Sequence, residues 1–187
     1  MTMTTRMLVE DFLEGGFPRG TQLINGEVVM NDPTLLHQRA VSRIHLALGI
    51  WTTADPQRGE AGLGGNWRFG PATSLIPDVW WVPADISAQL EGLLHDEPPG
   101  IAVEVRSPST WHYDTGVKLR YYESAGVQEV WLVDTAACSV IVHHRSTPAC
   151  LVFDESYEIA EGELTSPLLD GFAMAVPPLF AGSASTS

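Results

Sequence analysis

Hydrophobic residues follow two periods along this chain, and the alternation between them outlines its elements. In "RMLVEDFLEG" the apolar positions Met7, Leu8, Phe12 and Leu13 predict a short amphipathic helix closed by Gly15 and Gly16. "TQLINGEVVM" reads as two β-prone runs joined by Asn25-Gly26, the dipeptide that best tolerates the positive φ angles of a type I′ turn, with Glu27 opening the second strand. From Leu35 to Ala54 an apolar stripe through Leu36, Val41, Ile44, Leu48 and Trp51 predicts the longest helix, with Arg39 and Arg43 on its polar side. Glycines in "EAGLGGNWRFG" favour bends or bulges in a strand, "SLIPDVWWVP" is a strand bounded by prolines, and "ADISAQLEGLLHDEPP" is a short helix and loop. Next come a continuous β run "GIAVEVR", a helix "TGVKLRYYESAG" with Gly126 at its C′ position, and a β run "VQEVWLVD". Strand, helix, strand in so short a span is a βαβ-like signal. "SVIVHHR", "ACLVFD" and "SYEIA" are expected to pair as an antiparallel meander, and the tail "AGSASTS" to be disordered.

Length and composition narrow the class. With 187 residues, 44% of them hydrophobic, the chain suffices for one core, so residues 1–180 are expected to form a single domain and 181–187 a tail. No apolar stretch is long enough to span a membrane, and acidic residues interrupt the N-terminus before a signal-like core develops; a soluble, cytoplasmic protein is expected. Cys138 and Cys150 match neither a disulfide framework nor a zinc knuckle and read as small core residues. The net charge of −13 excludes gripping nucleic acid by bulk electrostatics, so any such role rests on a local site. Nine of the ten cations are arginine, and none follows Arg145. The single lysine, Lys118, stands out because the two cations are not equivalent in chemistry.

Two strand positions carry carboxylates where a core would place apolar groups. Period two puts Asp78, Trp80 and Val82 on one face of their strand, and Ala102, Glu104 and Arg106 on one face of theirs. If those strands are neighbours, the two acids converge, and they repel unless a cation sits between them. A divalent ion is one solution: Mg²⁺ takes one or two carboxylates and leaves room for phosphate oxygens. Lys118, on the following helix, is placed to bring an ammonium to the same spot. The residues alone leave an alternative open, in which Glu104 and Arg106 form cross-strand pairs, Asp78 caps a strand end and Lys118 pairs with Asp114 four positions earlier.

The pieces "PD", "EVRSPST" and "YDTGVKLRYYESAGVQEVWLVD", with "INGEVV", "PTLLHQRAV" and "LTSPLLDGFAMAVPPLF" around them, resemble the putative restriction endonuclease family of bacteria, a branch of the PD-(D/E)XK nuclease superfamily. The resemblance runs from about residue 7 to 180 and is most specific between Glu104 and Asp134. It implies an α/β fold of mixed α+β type: a restriction-endonuclease-like core, with a mixed central sheet flanked by helices, an N-terminal hairpin and C-terminal antiparallel strands. It also implies Mg²⁺- or Mn²⁺-dependent phosphodiester cleavage. In its pattern Asp78 matches the motif aspartate, Glu104 the second acid, and Lys118 the lysine moved from the strand to the next helix. The usual Glu-x-Lys is here Glu104-Val105-Arg106, which leaves Lys118 and Arg106 as candidate cations, Lys118 being favoured with Arg106 assisting.

Glu27 is a third candidate metal ligand, as the resemblance suggests, if the hairpin swings it inward. His37 is a candidate for metal-bound water or phosphate, whereas His45 lies too far along its helix to share one ion. Arg39, Arg43, Arg68, Arg106 and Arg120 are candidates for positioning phosphate. His143 and His144 point to opposite faces of a strand and read as structural, and of the tryptophans only Trp111, expected in a loop, is placed to reach substrate. Two functions follow: a metal-dependent nuclease acting on DNA, plausibly as a homodimer, with Asp78, Glu104 and Lys118 as its catalytic residues; or a non-enzymatic binding module that keeps the fold. Replacing Glu104 by Gln would abolish activity in the first and stabilise the fold in the second.

Overall fold

The computed structural model describes residues 6–182. A short helix α1 (Val9–Glu14) precedes the hairpin of β1 (Thr21–Ile24) and β2 (Glu27–Met30), whose turn residues Asn25 and Gly26 take φ of 53° and 79°, as a type I′ turn requires. Helix α2 (Leu35–Thr53) follows, started by the Thr34 hydroxyl, which accepts the His37 N–H at 3.2 Å. After a 3₁₀ turn come β3 (Glu60–Leu63), β4 (Asn66–Gly70), β5 (Thr73–Leu75), β6 (Val79–Val82), α3 (Ala84–Ser87), β7 (Leu94–His95) and β8 (Ile101–Val105). Helix α4 (Trp111–Tyr113), a π-turn over Asp114–Lys118 and α5 (Leu119–Ala125) run on without a break. The chain ends with β9 (Glu129–Asp134), β10 (Ser139–His144), β11 (Glu155–Ile159), β12 (Glu163–Leu164), β13 (Met174–Ala175) and α6 (Pro177–Phe180).

These strands form two main sheets and a small β12–β13 ladder. The larger sheet has the order β11-β10-β9-β8-β6-β3 and is mixed: β8 and β9, joined by the α4–α5 crossover, are parallel, and the other pairs are antiparallel. The second sheet, β2-β1-β5-β4-β7, carries the hairpin. The prolyl segment at residues 76–78 passes the chain from one sheet to the other. There the Ile76 N–H donates to the Gln22 side chain at 2.9 Å, and the Asp78 N–H already donates to Val103 in the larger sheet.

Packing explains the layering. Ala40, Val41, Ile44 and Leu48 of α2 cover one face of the large sheet, against Val79, Trp81, Ile101, Val103, Val105, Trp131 and Val133. On the other face Ala102, Val130 and Leu132 meet Tyr122 and Val127, with Ile24 and Leu75 of the second sheet. Burying each large apolar side chain is worth ~1.5–3 kcal/mol, so packing rather than intrinsic propensity fixes where α2 lies. The mixed sheet, flanking helices, hairpin and C-terminal strands follow the expected architecture.

Several local expectations are corrected. "SLIPDVWWVP" is two strands, because Pro77 has no N–H to continue a ladder. "EAGLGGNWRFG" likewise splits at Gly64 and Gly65, both at positive φ, and its halves join different sheets. "ACLVFD" is a loop: Asp154 ties it back to Ser146 by accepting the Ser146 N–H at 2.8 Å, and Leu151 is exposed. Trp111 begins a helix instead of lying in a loop. Cys138 is exposed, in the β9–β10 turn at φ 54°, and Cys150 is half-buried, so neither is a core residue. Of the tail expected at 181–187, residues 183–187 lie outside the described residues.

Candidate active site

The site begins with strand register. Val79 lies opposite Val103 across β6 and β8, so Asp78, one residue before β6, stands opposite Glu104 on the face away from α2. The Asp78 carboxylate is fixed at that position: its Oδ2 accepts the Val105 N–H at 2.7 Å. Glu104 is the only charged residue of β8, and only 2% of it is exposed.

The π-turn supplies the partners. Asp114, Lys118 and Tyr122 recur every four residues and present one polar stripe to this face of the sheet; all three are buried. Lys118 Nζ lies 2.8 Å from Glu104 Oε2 and 2.9 Å from Asp114 Oδ1, while the Tyr122 hydroxyl donates to Glu104 Oε1. Burial lifts the Glu104 pKa to about 8, against the opposing pull of Lys118 and with help from the charges of Asp114 and Asp78. Burial raises that of Asp114 as well. Burial opposes the Lys118 ammonium, but Glu104 and Asp114 outweigh it and hold its pKa above the ordinary lysine value. Lys118 is therefore a fixed cation here, an ammonium that holds its proton. Two carboxyl groups, Glu104 and Asp114, touch it, and Asp78 acts on it through its charge.

His37, in the first turn of α2, reaches round the end of the sheet. Its Nδ1 lies 3.0 Å from the Val105 carbonyl and 3.2 Å from Ser107 Oγ, and its Nε2 lies 3.4 Å from Asp78 Oδ1. Burial works against the imidazolium, but the hydrogen bond and charge of Asp78 prevail and raise its pKa. Asp78 is the one acid of the cluster that reaches a surface: a cleft of about 280 Å³ opens on it, lined also by Arg19, Gln22, Asn31, His37 and Gln38. The larger groove between α2 and β3, about 720 Å³, contains none of these residues.

The structure thus brings together four of the residues singled out in the sequence, Asp78, Glu104, Lys118 and His37. Glu27 stays outside, exposed at the start of β2 opposite Ile24 and away from the Asp78 cleft. Arg106 lies beyond the end of β8 and turns to Asp134 at the end of β9, donating from Nη1 to both carboxylate oxygens at 2.9 Å, so its guanidinium is engaged with Asp134 and not with Glu104. Arg120 lines a separate pocket with Asn25, Val117, Tyr121 and Ser124. Tyr122 was missed, and Asp114 had been weighed only as a rival partner for Lys118, whereas Lys118 bridges both acids. The four-residue spacing of Asp114 and Lys118 was the signal for Asp114.

Oxygen ligands for a hard divalent ion are present in Asp78 and Glu104. Among the described residues no group of three or more His, Cys, Asp or Glu side chains forms a ready cage. Mg²⁺ needs no such cage, since it keeps several waters and binds through one or two carboxylates; Asp78, open to the cleft, with Glu104 beside it fits such an ion.

Known proteins match this description at the level of fold and family. The chain superposes on the crystal structure of a putative nuclease belonging to DUF820 from Anabaena variabilis with a TM-score of 0.78, covering 93% of this chain and 97% of that one at 17% identity, a likeness of fold. No curated protein matches it. The family Uma2, Putative restriction endonuclease, matches residues 18–177. By that match, which takes in the hairpin, α2, both acid-bearing strands and the Lys118 helix, the chain belongs to the Uma2 putative restriction endonuclease family.

Proposed function

We propose that the protein is a metal-dependent nuclease that hydrolyses phosphodiester bonds of DNA at the Asp78–Glu104–Lys118 cluster. The observation that carries this reading is the pairing of Asp78 and Glu104 directly across β6 and β8 with an ammonium 2.8 Å from the second acid. A core without chemistry gains little from burying three carboxylates around one lysine, because desolvation costs several kcal/mol per ion, roughly.

Asp78 and Glu104 would hold Mg²⁺ or Mn²⁺, which when bound lowers the pKa of water and offsets charge on the phosphate. Lys118 orients the attacking water and the phosphate oxygens as a donor; its raised pKa excludes it as the base in this arrangement. The water oxygen bonds to phosphorus and gives up a proton to solvent, the bond to the leaving ester oxygen breaks, and that oxygen takes up a proton from solvent. Tyr122 and Asp114 fix Glu104 and Lys118, and His37 fixes Asp78. Cutting both strands of a duplex calls for two sites related by a two-fold axis. A second copy would meet this one at the free edge of β3 and the adjoining face of α2, where Leu46, Ile50 and Leu63 are exposed and Glu60 is the only acid.

The test is incubation of supercoiled, linear and single-stranded DNA, and of RNA, with the protein and Mg²⁺, Mn²⁺ or EDTA. Metal-dependent cutting of DNA supports the reading. No cutting of any substrate, with no metal bound in calorimetry, favours instead the binding module.

A further inference from the structure

Phosphate is best held by cations with no other partner, and in this acidic chain most of the cations are engaged. Lys118 is paired with Glu104 and Asp114. Arg68 binds Glu10 at 2.8 Å and Asp96 at 2.9 Å, and Arg106 binds Asp134. Arg43 donates to the carbonyls of Pro178, Leu179 and Ala181, fastening α6 to α2. Arg58 lies over the Trp51 ring and donates to its carbonyl, and Arg145 is buried against the carbonyls of Val127, Glu123 and Cys150. Arg6, Arg19 and Arg120 are exposed and make no hydrogen bond or ion pair among the described residues, and of these three Arg19 is the one that lines the cleft opening on Asp78.

The same cleft is rich in donors. Gln22 is 5% exposed; its amide oxygen accepts the Ile76 N–H, and its amide nitrogen donates to no group among the described residues. Asn31 is arranged alike, its Oδ1 accepting from the Thr110 hydroxyl at 3.2 Å and its nitrogen left over. Gln38, in the first turns of α2, completes the rim. With the Gln22 and Asn31 oxygens engaged and their nitrogens spare, the lining that these residues share with Asp78 suits the oxygens of an anion. Asp78 alone would repel that anion, and a divalent ion held there reverses the sign.

We infer that Arg19, with the spare amide groups of Gln22, Asn31 and Gln38, forms the subsite that holds a backbone phosphate of the nucleic-acid strand bound at Asp78. This rests on the nuclease reading above. It replaces the arginines that the sequence offered for the task, of which Arg43, Arg68 and Arg106 are already engaged.

The experiment measures binding of fluorescein-labelled oligonucleotides by anisotropy over a range of salt, alongside steady-state cleavage, for wild type, Arg19→Ala, Arg19→Lys and, as a control of equal charge change, Arg6→Ala. Arg19→Ala is expected to weaken binding about tenfold irrespective of sequence, to reduce the slope of log K against log salt by ~1, and to raise KM with little change in kcat. Arg19→Lys should restore most of the slope, and Arg6→Ala should match wild type. If wild type binds and cleaves while Arg19→Ala keeps its affinity and slope, the subsite is refuted and the nuclease reading stands. Wild type that neither binds nor cleaves overturns both.

Discussion

Lys118 lies between Glu104 and Asp114, and the consequences of removing either side differ in sign. Lys118→Met leaves Glu104 and Asp114 buried without their cation and should cost about 3–5 kcal/mol in urea unfolding above pH 8, less at acidic pH where both acids are protonated. Glu104 acts the other way. Its folded pKa is raised from 4.5 to about 8, so the stability it contributes is fully present below pH 4.5 and is lost as pH rises through 8. Glu104→Gln removes that loss. The variant should therefore gain on wild type as the pH is raised from 5 to 9 without metal, and parallel stability curves over that range would contradict the account. Of these residues, Asp78, Glu104 and Lys118 were legible in the sequence, because a carboxylate in an apolar strand and a lone lysine both break a pattern. Tyr122 was not, since a tyrosine on an amphipathic helix looks like core until Glu104 Oε1 is found at its hydroxyl.

At the scale of elements, the site depends on three ends: the start of β6, the end of β8 and the first turn of α2. Thr34 is the link to the last of these, since its hydroxyl caps α2 and the capped N–H belongs to His37, whose ring reaches Asp78. Thr34→Ala should cost about 1 kcal/mol in thermal or urea unfolding. It should also reduce cleavage more than a substitution of similar cost at the far end of α2, such as Thr52→Val. Equal reductions would make the cap structural only. The hairpin, α2 and the β8–helix–β9 unit could be foretold because turn chemistry and periodicity agree there. The change of sheet at Pro77, the π-turn and the loop at 150–153 could not, because pairing partners and side-chain ties from distant residues decide them: Gln22 to Ile76, Glu104 to Lys118, Asp154 to Ser146.

For the whole molecule, a net charge of −13 leaves little surface where either nucleic acid or a second copy can approach. Arg19 marks the first of those places. The α2–β3 face marks the second, with Ile50 64% exposed beside an unpaired sheet edge. Sedimentation velocity should show a dimer at micromolar concentration that Ile50→Glu converts to monomer; a monomeric wild type would rule the pairing out. Mixed-sheet architecture was legible from the strand–helix–strand order, whereas the division into two sheets, which creates the cleft at Asp78, was not.

The most direct test of the central claim compares the rate at which wild type, Asp78→Asn, Glu104→Gln and Lys118→Met cut DNA in Mg²⁺ or Mn²⁺, with folding checked by circular dichroism. The account predicts metal-dependent cutting by wild type and a loss of at least about a hundredfold in each folded variant, the scale on which removing one group that stabilises transition-state charge is felt. Folded variants that cut as fast as wild type would show that the chemistry lies elsewhere in the molecule.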